Sequence, residues 1–120
     1  MSTPDYQYIS YELLDDGVIA RVMLDRPRTR NAQNRGLLVE LDDALARAEA
    51  DDQVRVIILG GTGPMFTSGH DLGSSDDVRE RTPGPDQHPT MTSHGGTRLG
   101  TENRMLQEGH FFFENTRRWR

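Results

Sequence analysis

Apolar positions along this 120-residue chain crowd ahead of Gly73. From Tyr8 to Leu14 and from Val18 to Leu24 the residues suit two strands; in the second, Val18, Ala20, Val22 and Leu24 share one face by the two-residue period of a half-buried strand. Asp15-Asp16-Gly17 joins the runs by a short loop ending in glycine, which predicts a hairpin. Asp25-Arg26-Pro27 ends the second strand. Leu37, Leu38, Leu41, Ala44, Leu45 and Ala48 then recur at helical spacing, with Asn31 or Asn34 placed to cap the helix. Val54 to Leu59 is a near-continuous apolar run, the pattern of a strand covered on both faces. Strand, helix, strand in that order predicts a right-handed crossover and an α/β fold. Gly60-Gly61-Thr62-Gly63-Pro64 follows as a tight turn.

Beyond Gly73 the pattern fades. Up to His110 only Val78, Met91, Leu99, Met105 and Leu106 are apolar, among many glycines and prolines. Such a stretch buries too little surface to offset its ordering entropy and reads as loop. Met105, Leu106, Phe112, Phe113 and Trp119 then fall on one face of a helix from Thr101 to Trp119. Gly109 weakens that helix by about 1 kcal/mol, and its aromatic face needs protein to cover it. The expected layout is an ordered core over about 5–72, a flexible loop over about 73–100 and a helix over about 101–119, within one domain.

Composition narrows the function. Hydrophobic residues are 33%, mean hydropathy is -0.74 and formal net charge is -5. No apolar run approaches the ~20 residues of a membrane span, and the acidic balance argues against a nucleic-acid partner. There is no cysteine, so disulfides, thiolate metal sites and a thiol nucleophile are excluded. All 14 basic residues are arginine, which removes lysine Schiff-base chemistry. No leader pattern opens the chain, which favours the cytoplasm.

Several motifs fail on inspection. Gly95-Gly96-Thr97-Arg98-Leu99-Gly100-Thr101 lacks the lysine and the preceding strand of a phosphate loop. In Gly60-Gly61-Thr62-Gly63 the dinucleotide pattern is broken by Pro64. His70, His88, His94 and His110 match no zinc spacing, so no metal is expected. Phe66 stands where a nucleophile elbow around Ser68 needs its first glycine. One constellation survives: a strand, a glycine-rich turn, then Met65-Phe66-Thr67-Ser68-Gly69-His70-Asp71-Leu72. Gly69 lets the backbone turn so that N–H groups converge on one spot. That spot follows the carboxyl end of a parallel strand, where α/β folds place ligands. Backbone donors there suit a thioester oxygen that becomes negative during reaction.

Leu24-Asp25-Arg26-Pro27, Arg30-Asn31-Ala32, Leu37 to Leu45, Val54 to Gly60 and Phe66 to Leu72 together resemble the N-terminal part of the enoyl-CoA hydratase/isomerase, or crotonase, family. The resemblance implies an α/β, crotonase-like spiral of ββα units: here a hairpin, helix, parallel strand, long loop and C-terminal helix. It implies an acyl-CoA thioester as substrate, coenzyme A belonging to the substrate rather than acting as cofactor, and a trimer or hexamer. It assigns the His70 N–H, after Gly69, to an oxyanion hole. It sets Ser68, Asp71 and Leu72 against the adenine and pantetheine, and Arg28, Arg30 and Ala32 at the CoA entrance, where guanidinium forks suit phosphates.

The implied reaction adds water across an α,β-unsaturated thioester, two acidic residues serving as general acid and base. The family's second donor lies in a Gly-Gly-Gly turn, followed by the catalytic acids, and no such turn occurs here. Gly109-His110-Phe111-Phe112-Phe113-Glu114 does not replace it, and Glu114 is not promoted to catalyst. Family members are roughly twice this length, so the chain reads as a piece of a larger enzyme, inactive alone and joined by the remainder of that enzyme. Isomerase, hydrolase and lyase activities remain open, as does a non-catalytic CoA-binding or assembly module.

Overall fold

A computed structural model describes residues 5–81 and 108–119. β1 (Ile9–Leu14) and β2 (Ile19–Leu24) form the hairpin, in register from Ile9 opposite Leu24 to Leu14 opposite Ile19. Its turn holds Asp15 and Asp16 at φ 55° and 58°, with the Gly17 N–H donating to the Leu14 carbonyl at 3.1 Å. Two consecutive left-handed residues match the twist of the paired strands, and aspartate tolerates that conformation better than most residues. α1 (Arg35–Ala50) carries the chain across to β3 (Val56–Gly61), which runs parallel to β2. The result is an open mixed sheet in the order β1-β2-β3.

Alternation decides the core. Ala20, Val22 and Leu24 of β2 face Leu37, Leu38, Leu41, Ala44 and Ala48 of α1, joined by Ile9 and Tyr11 of β1. Val18 lies in the turn and leaves that face. Asn34, not Asn31, caps α1, its Oδ1 accepting from the Leu37 N–H at 3.3 Å.

Three expectations change. The third strand starts two residues later than its apolar run and continues into Gly60 and Gly61, which pair opposite Met23 and Leu24. A Cβ on Gly61 would lie 2.8 Å from the Asn31 Nδ2, so glycine lets the neighbouring loop approach the strand end. This strand is not covered on both faces: Val56 to Leu59 are 41–52% exposed, and among the described residues only β2 pairs with it. An apolar run reports a capacity for burial, and here β3 is a sheet edge. The stretch after Gly73 is not all loop, because Ser75–Arg81 forms α2. Residues 82–107 of the expected loop and helix, Met105 and Leu106 among them, lie outside the described residues.

The C-terminal segment is a π-helix, Glu108–Glu114, running into α3 (Asn115–Arg118). It packs on its own chain: Phe111 is fully buried, Phe112 and Trp119 lean on the core, and the Trp119 Nε1 donates to Asp42 at 3.0 Å. The wider π turn shifts the residues away from a 3.6 period, which brings Phe111 inward where regular spacing had selected its neighbours. Among the described residues no helix is long and apolar enough to cross a membrane.

Candidate functional site: a backbone donor held between two loops

Two loops leave the same end of the parallel pair. One runs from Asp25 to Asn34, the other from Thr62 to Ser74. The first contains a 3-10 turn, Pro27–Thr29, and then Arg30 and Asn31 at φ 54° and 56°. That reversal turns the Asn31 side chain inward. Its Oδ1 accepts from the Arg26 N–H at 2.7 Å, and its Nδ2 donates to the carbonyls of Thr62 and Met65 at 2.9 and 3.0 Å. The loops are then laced residue by residue. The Thr67 hydroxyl donates to the Asn31 carbonyl, the Ser68 N–H to the Arg30 carbonyl, and the Gln33 N–H to the Gly69 carbonyl.

The last bond sets the geometry around His70. Gln33 and His70 form a parallel bridge: the Gln33 N–H donates to Gly69 at 2.7 Å, and the Asp71 N–H donates to the Gln33 carbonyl at 2.9 Å. The Gly69–His70 peptide is trans, so its N–H points opposite to its C=O. With that C=O aimed at Gln33, the His70 N–H is directed away from the first loop. Gly69 stands at φ 97°, a left-handed value that an L side chain would strain, and a Cβ there would meet open space. The glycine therefore serves conformation rather than close packing.

The imidazole has its own surroundings. His70 Nδ1 lies 2.7 Å from the Asp71 carbonyl, which only accepts, so Nδ1 carries the hydrogen. The ring stacks on Phe112 with centroids 3.7 Å apart and planes 7° from parallel. The π-helix therefore lies directly against the donor loop.

Beneath the loop is a set of charges that the apolar pattern did not reveal. Arg26 pairs with Asp71 at 3.0 Å and with Asp76 at 2.9 Å, and Arg35 pairs with Asp77 at 3.0 Å. Glu80 accepts from the Gly36 N–H at 2.8 Å and from Asn34 at 3.2 Å. A carboxylate on the first free N–H groups of α1 also complements the helix dipole. Burial raises Glu80 above the ordinary carboxylate range, its hydrogen bonds only partly opposing this. Burial acts in the same sense on Asp71. There the hydrogen bonds from Ser74, Gly73 and Arg26 win and hold the carboxyl down at about 2.

The expected ligand residues divide. Arg28, Arg30 and Ser68 are exposed on the loop surface, and Leu72 is 86% exposed. Ala32 is half-buried, its N–H donating to Thr29 and its carbonyl accepting from Arg26. Asp71 points inward, and the N–H groups of Ser68 and Asp71 are both committed to protein carbonyls. Sequence reasoning missed Asn31 as the link between the loops, Gln33 as the partner of His70, and Phe112 as its cover. Among the described residues no group of three or more potential ligands could hold a metal ion.

Comparison with known proteins places the chain in a family. The family model for enoyl-CoA hydratase/isomerase matches residues 15–93. A Mycobacterium tuberculosis protein named as an enoyl-CoA hydratase, EchA13, is 60% identical over 97% of this chain and 36% of its own length. A 4-chlorobenzoyl coenzyme A dehalogenase of an Arthrobacter species is 40% identical over 60% of the chain and 25% of its own length. A crystal structure from Mycobacterium smegmatis, described as an enoyl-CoA hydratase, superposes with a TM-score of 0.67 at 34% identity, over 93% of this chain and 36% of that one. The chain thus spans about a third or less of the relatives it matches, which exceed the roughly twofold length expected from the resemblance, and its ββα architecture with an open mixed sheet is that of their N-terminal part. The chain belongs to the enoyl-CoA hydratase/isomerase family, the crotonase superfamily.

Proposed function

We propose that this chain supplies one oxyanion donor of an acyl-CoA enzyme of hydratase type. The observation that carries the reading is the Gln33–His70 bridge, which turns the His70 N–H outward beyond the carboxyl end of β3. A fixed N–H there stabilises the charge that collects on a thioester oxygen when water adds to the double bond. The water oxygen bonds to Cβ, the electron pair moves through Cα to the thioester oxygen, and Cα then takes a proton. The groups that deliver and remove protons belong to the part of the relatives this chain does not span. In this reading exposed Arg28 and Arg30, with Ala32, line the CoA entrance, where guanidinium groups suit the phosphates, and Ser68, Gly69, Asp71 and Leu72 lie along the adenine and pantetheine. The working form is a cytoplasmic trimer or hexamer.

The dehalogenase relative favours a second reading, in which an aromatic acyl-CoA occupies the same donor. Both chemistries polarise a thioester carbonyl, so the donor alone does not separate them, whereas comparing crotonyl-CoA with 4-chlorobenzoyl-CoA does.

Amide NMR of the 15N-labelled chain tests the donor. Crotonyl-CoA is expected to shift the His70 amide resonance, and free CoA is expected to leave it in place. His70→Ala should keep crotonyl-CoA binding, because only the amide is used, and His70→Pro should lose it, because the N–H is gone. Matched thermal melts separate this loss from misfolding. Binding that leaves the His70 amide unmoved, or binding abolished by His70→Ala at unchanged stability, refutes the assignment.

A further inference from the structure

Arg26 opens the first of the two loops, and its side chain reaches residues of both. Its side chain is 5% exposed. Nη1 donates to Asp71 Oδ2 at 3.0 Å and to the Ala32 carbonyl at 2.5 Å. Nη2 donates to Asp76 Oδ2 at 2.9 Å and to the Ser74 hydroxyl at 3.2 Å. The backbone of Arg26 is itself anchored, its N–H on Asn31 Oδ1 and its carbonyl accepting from the N–H groups of Thr29 and Asn31. The guanidinium is therefore a planar fork on a fixed base, the arrangement in which arginine orients what it holds.

What it holds are the neighbours of the bridged pair. Ala32 precedes Gln33, and Asp71 follows His70. Gly69, the residue before His70, has no side chain, and a Cβ there would meet open space, so packing around its Cα does not hold the Gly69–His70 peptide in place. The two bonds of Gln33 hold the Gly69 carbonyl on one side of that peptide and the Asp71 N–H just beyond it, and they persist while Gln33 and Asp71 stay in register. Asp71 is further pinned by the N–H groups of Gly73 and Ser74 at 3.1 and 2.9 Å, so the clamp does not slide.

We propose that Arg26 is a positioning residue: by gripping the Ala32 carbonyl and the Asp71 carboxylate together, it locks the Gln33–His70 register and so fixes the direction of the His70 N–H. The inference rests on the reading that this N–H receives the thioester oxygen, and it adds the residue that holds it there.

The test uses the His70 amide resonance in the ligand-free chain, then titration with crotonyl-CoA. Arg26→Gln and Asp71→Asn are expected to displace or broaden the His70 amide and to weaken crotonyl-CoA binding roughly tenfold, the lower end of what removing an orienting partner costs. Arg26→Lys keeps the charge without the fork and should restore binding only in part. Asp76→Asn removes the other arm of the same guanidinium; it should lower the melting temperature and leave the His70 amide in place. A wild-type His70 amide and wild-type binding in Arg26→Gln and Asp71→Asn, with only the melt affected, would overturn the proposal, as would unfolding of every variant at both positions. If the wild-type amide ignores crotonyl-CoA but still moves in Arg26→Gln and Asp71→Asn and not in Asp76→Asn, the functional reading fails while the positioning role stands.

Discussion

Replacing Asn31 measures how strongly the two loops are bound together. Its side chain is fully buried and makes three hydrogen bonds, to the Arg26 N–H and to the Thr62 and Met65 carbonyls. Asn31→Ala removes all three. At about 1 kcal/mol net for each, the loss is about 3 kcal/mol. The backbone adds to it, because alanine at φ 56° carries about 1 kcal/mol of left-handed strain that asparagine partly escapes. The expected total is about 4 kcal/mol, a large share of the 5–15 kcal/mol typical of a domain. Asn31→Gly loses the same hydrogen bonds without the strain, and should be about 1 kcal/mol less damaging than alanine. Asn31→Asp keeps an acceptor for Arg26 but sets a carboxylate oxygen against two carbonyls. Its folded pKa is then raised, so it should destabilise at pH 7 and recover as the pH falls. Urea unfolding, with the midpoint and slope both recorded, reads all three. An alanine variant within 1 kcal/mol of wild type, or a glycine variant less stable than alanine, refutes the argument.

Other outcomes follow from the same contacts. Asp71, held at about 2 against an ordinary 3.8, contributes stability that is whole above about pH 4 and lost as pH falls through about 2. Acid unfolding should show a loss of roughly 2 kcal/mol across that window, absent from Asp71→Asn. Glu40 and Glu80, raised by burial, act in the opposite sense: their contribution is largest at low pH and declines as pH rises through the folded pKa. A pH titration of Glu80→Gln in urea should therefore show a shallower decline above pH 4.5 than wild type. Phe111→Ala should cost about 3–5 kcal/mol and release Trp119 from the core, read as a red shift in tryptophan fluorescence. The purified 120-residue chain should not hydrate crotonyl-CoA above an empty-vector control, since one donor without paired acids leaves the proton transfers unserved.

What the sequence made legible was local. The hairpin, α1 and the crossover follow from periods of two and 3.6 within short windows, and the structure places those elements within two residues of expectation. α2 was invisible for a physical reason. Its one apolar residue, Val78, is exposed, and its inward face is Asp77 and Glu80. A helix docked by charge carries no apolar stripe, so hydrophobic periodicity reads it as loop. Phe111 escaped because a π turn breaks the period from which its neighbours were chosen. At the site, Gly69 stood out as a turn-forming glycine after a strand, whereas His70 was marked by the resemblance of Phe66 to Leu72 to the family. Gln33 gave no such mark, since a backbone pairing partner across a gap of 37 residues leaves no trace in side-chain type.

The two kinds of contact under the donor loop do different work. Ala20, Val22, Leu24 and the α1 leucines give stability through area, and area is indifferent to small rotations of what it covers. Arg26–Asp71 and Arg35–Asp77 are buried ion pairs, whose desolvation offsets much of their attraction, so they are weak sources of stability. They are, however, directional: a fork within 3.0 Å of a carboxylate tolerates little rotation before its bonds fail. An oxyanion donor needs direction more than it needs depth, because its contribution depends on pointing at an oxygen before that oxygen becomes charged. The charged underside of the loop and the apolar core beside it therefore answer separate requirements. The residues that pattern reading finds least conspicuous, Gln33, Arg26 and Asp71, are those to which the proposal assigns the direction of the His70 N–H.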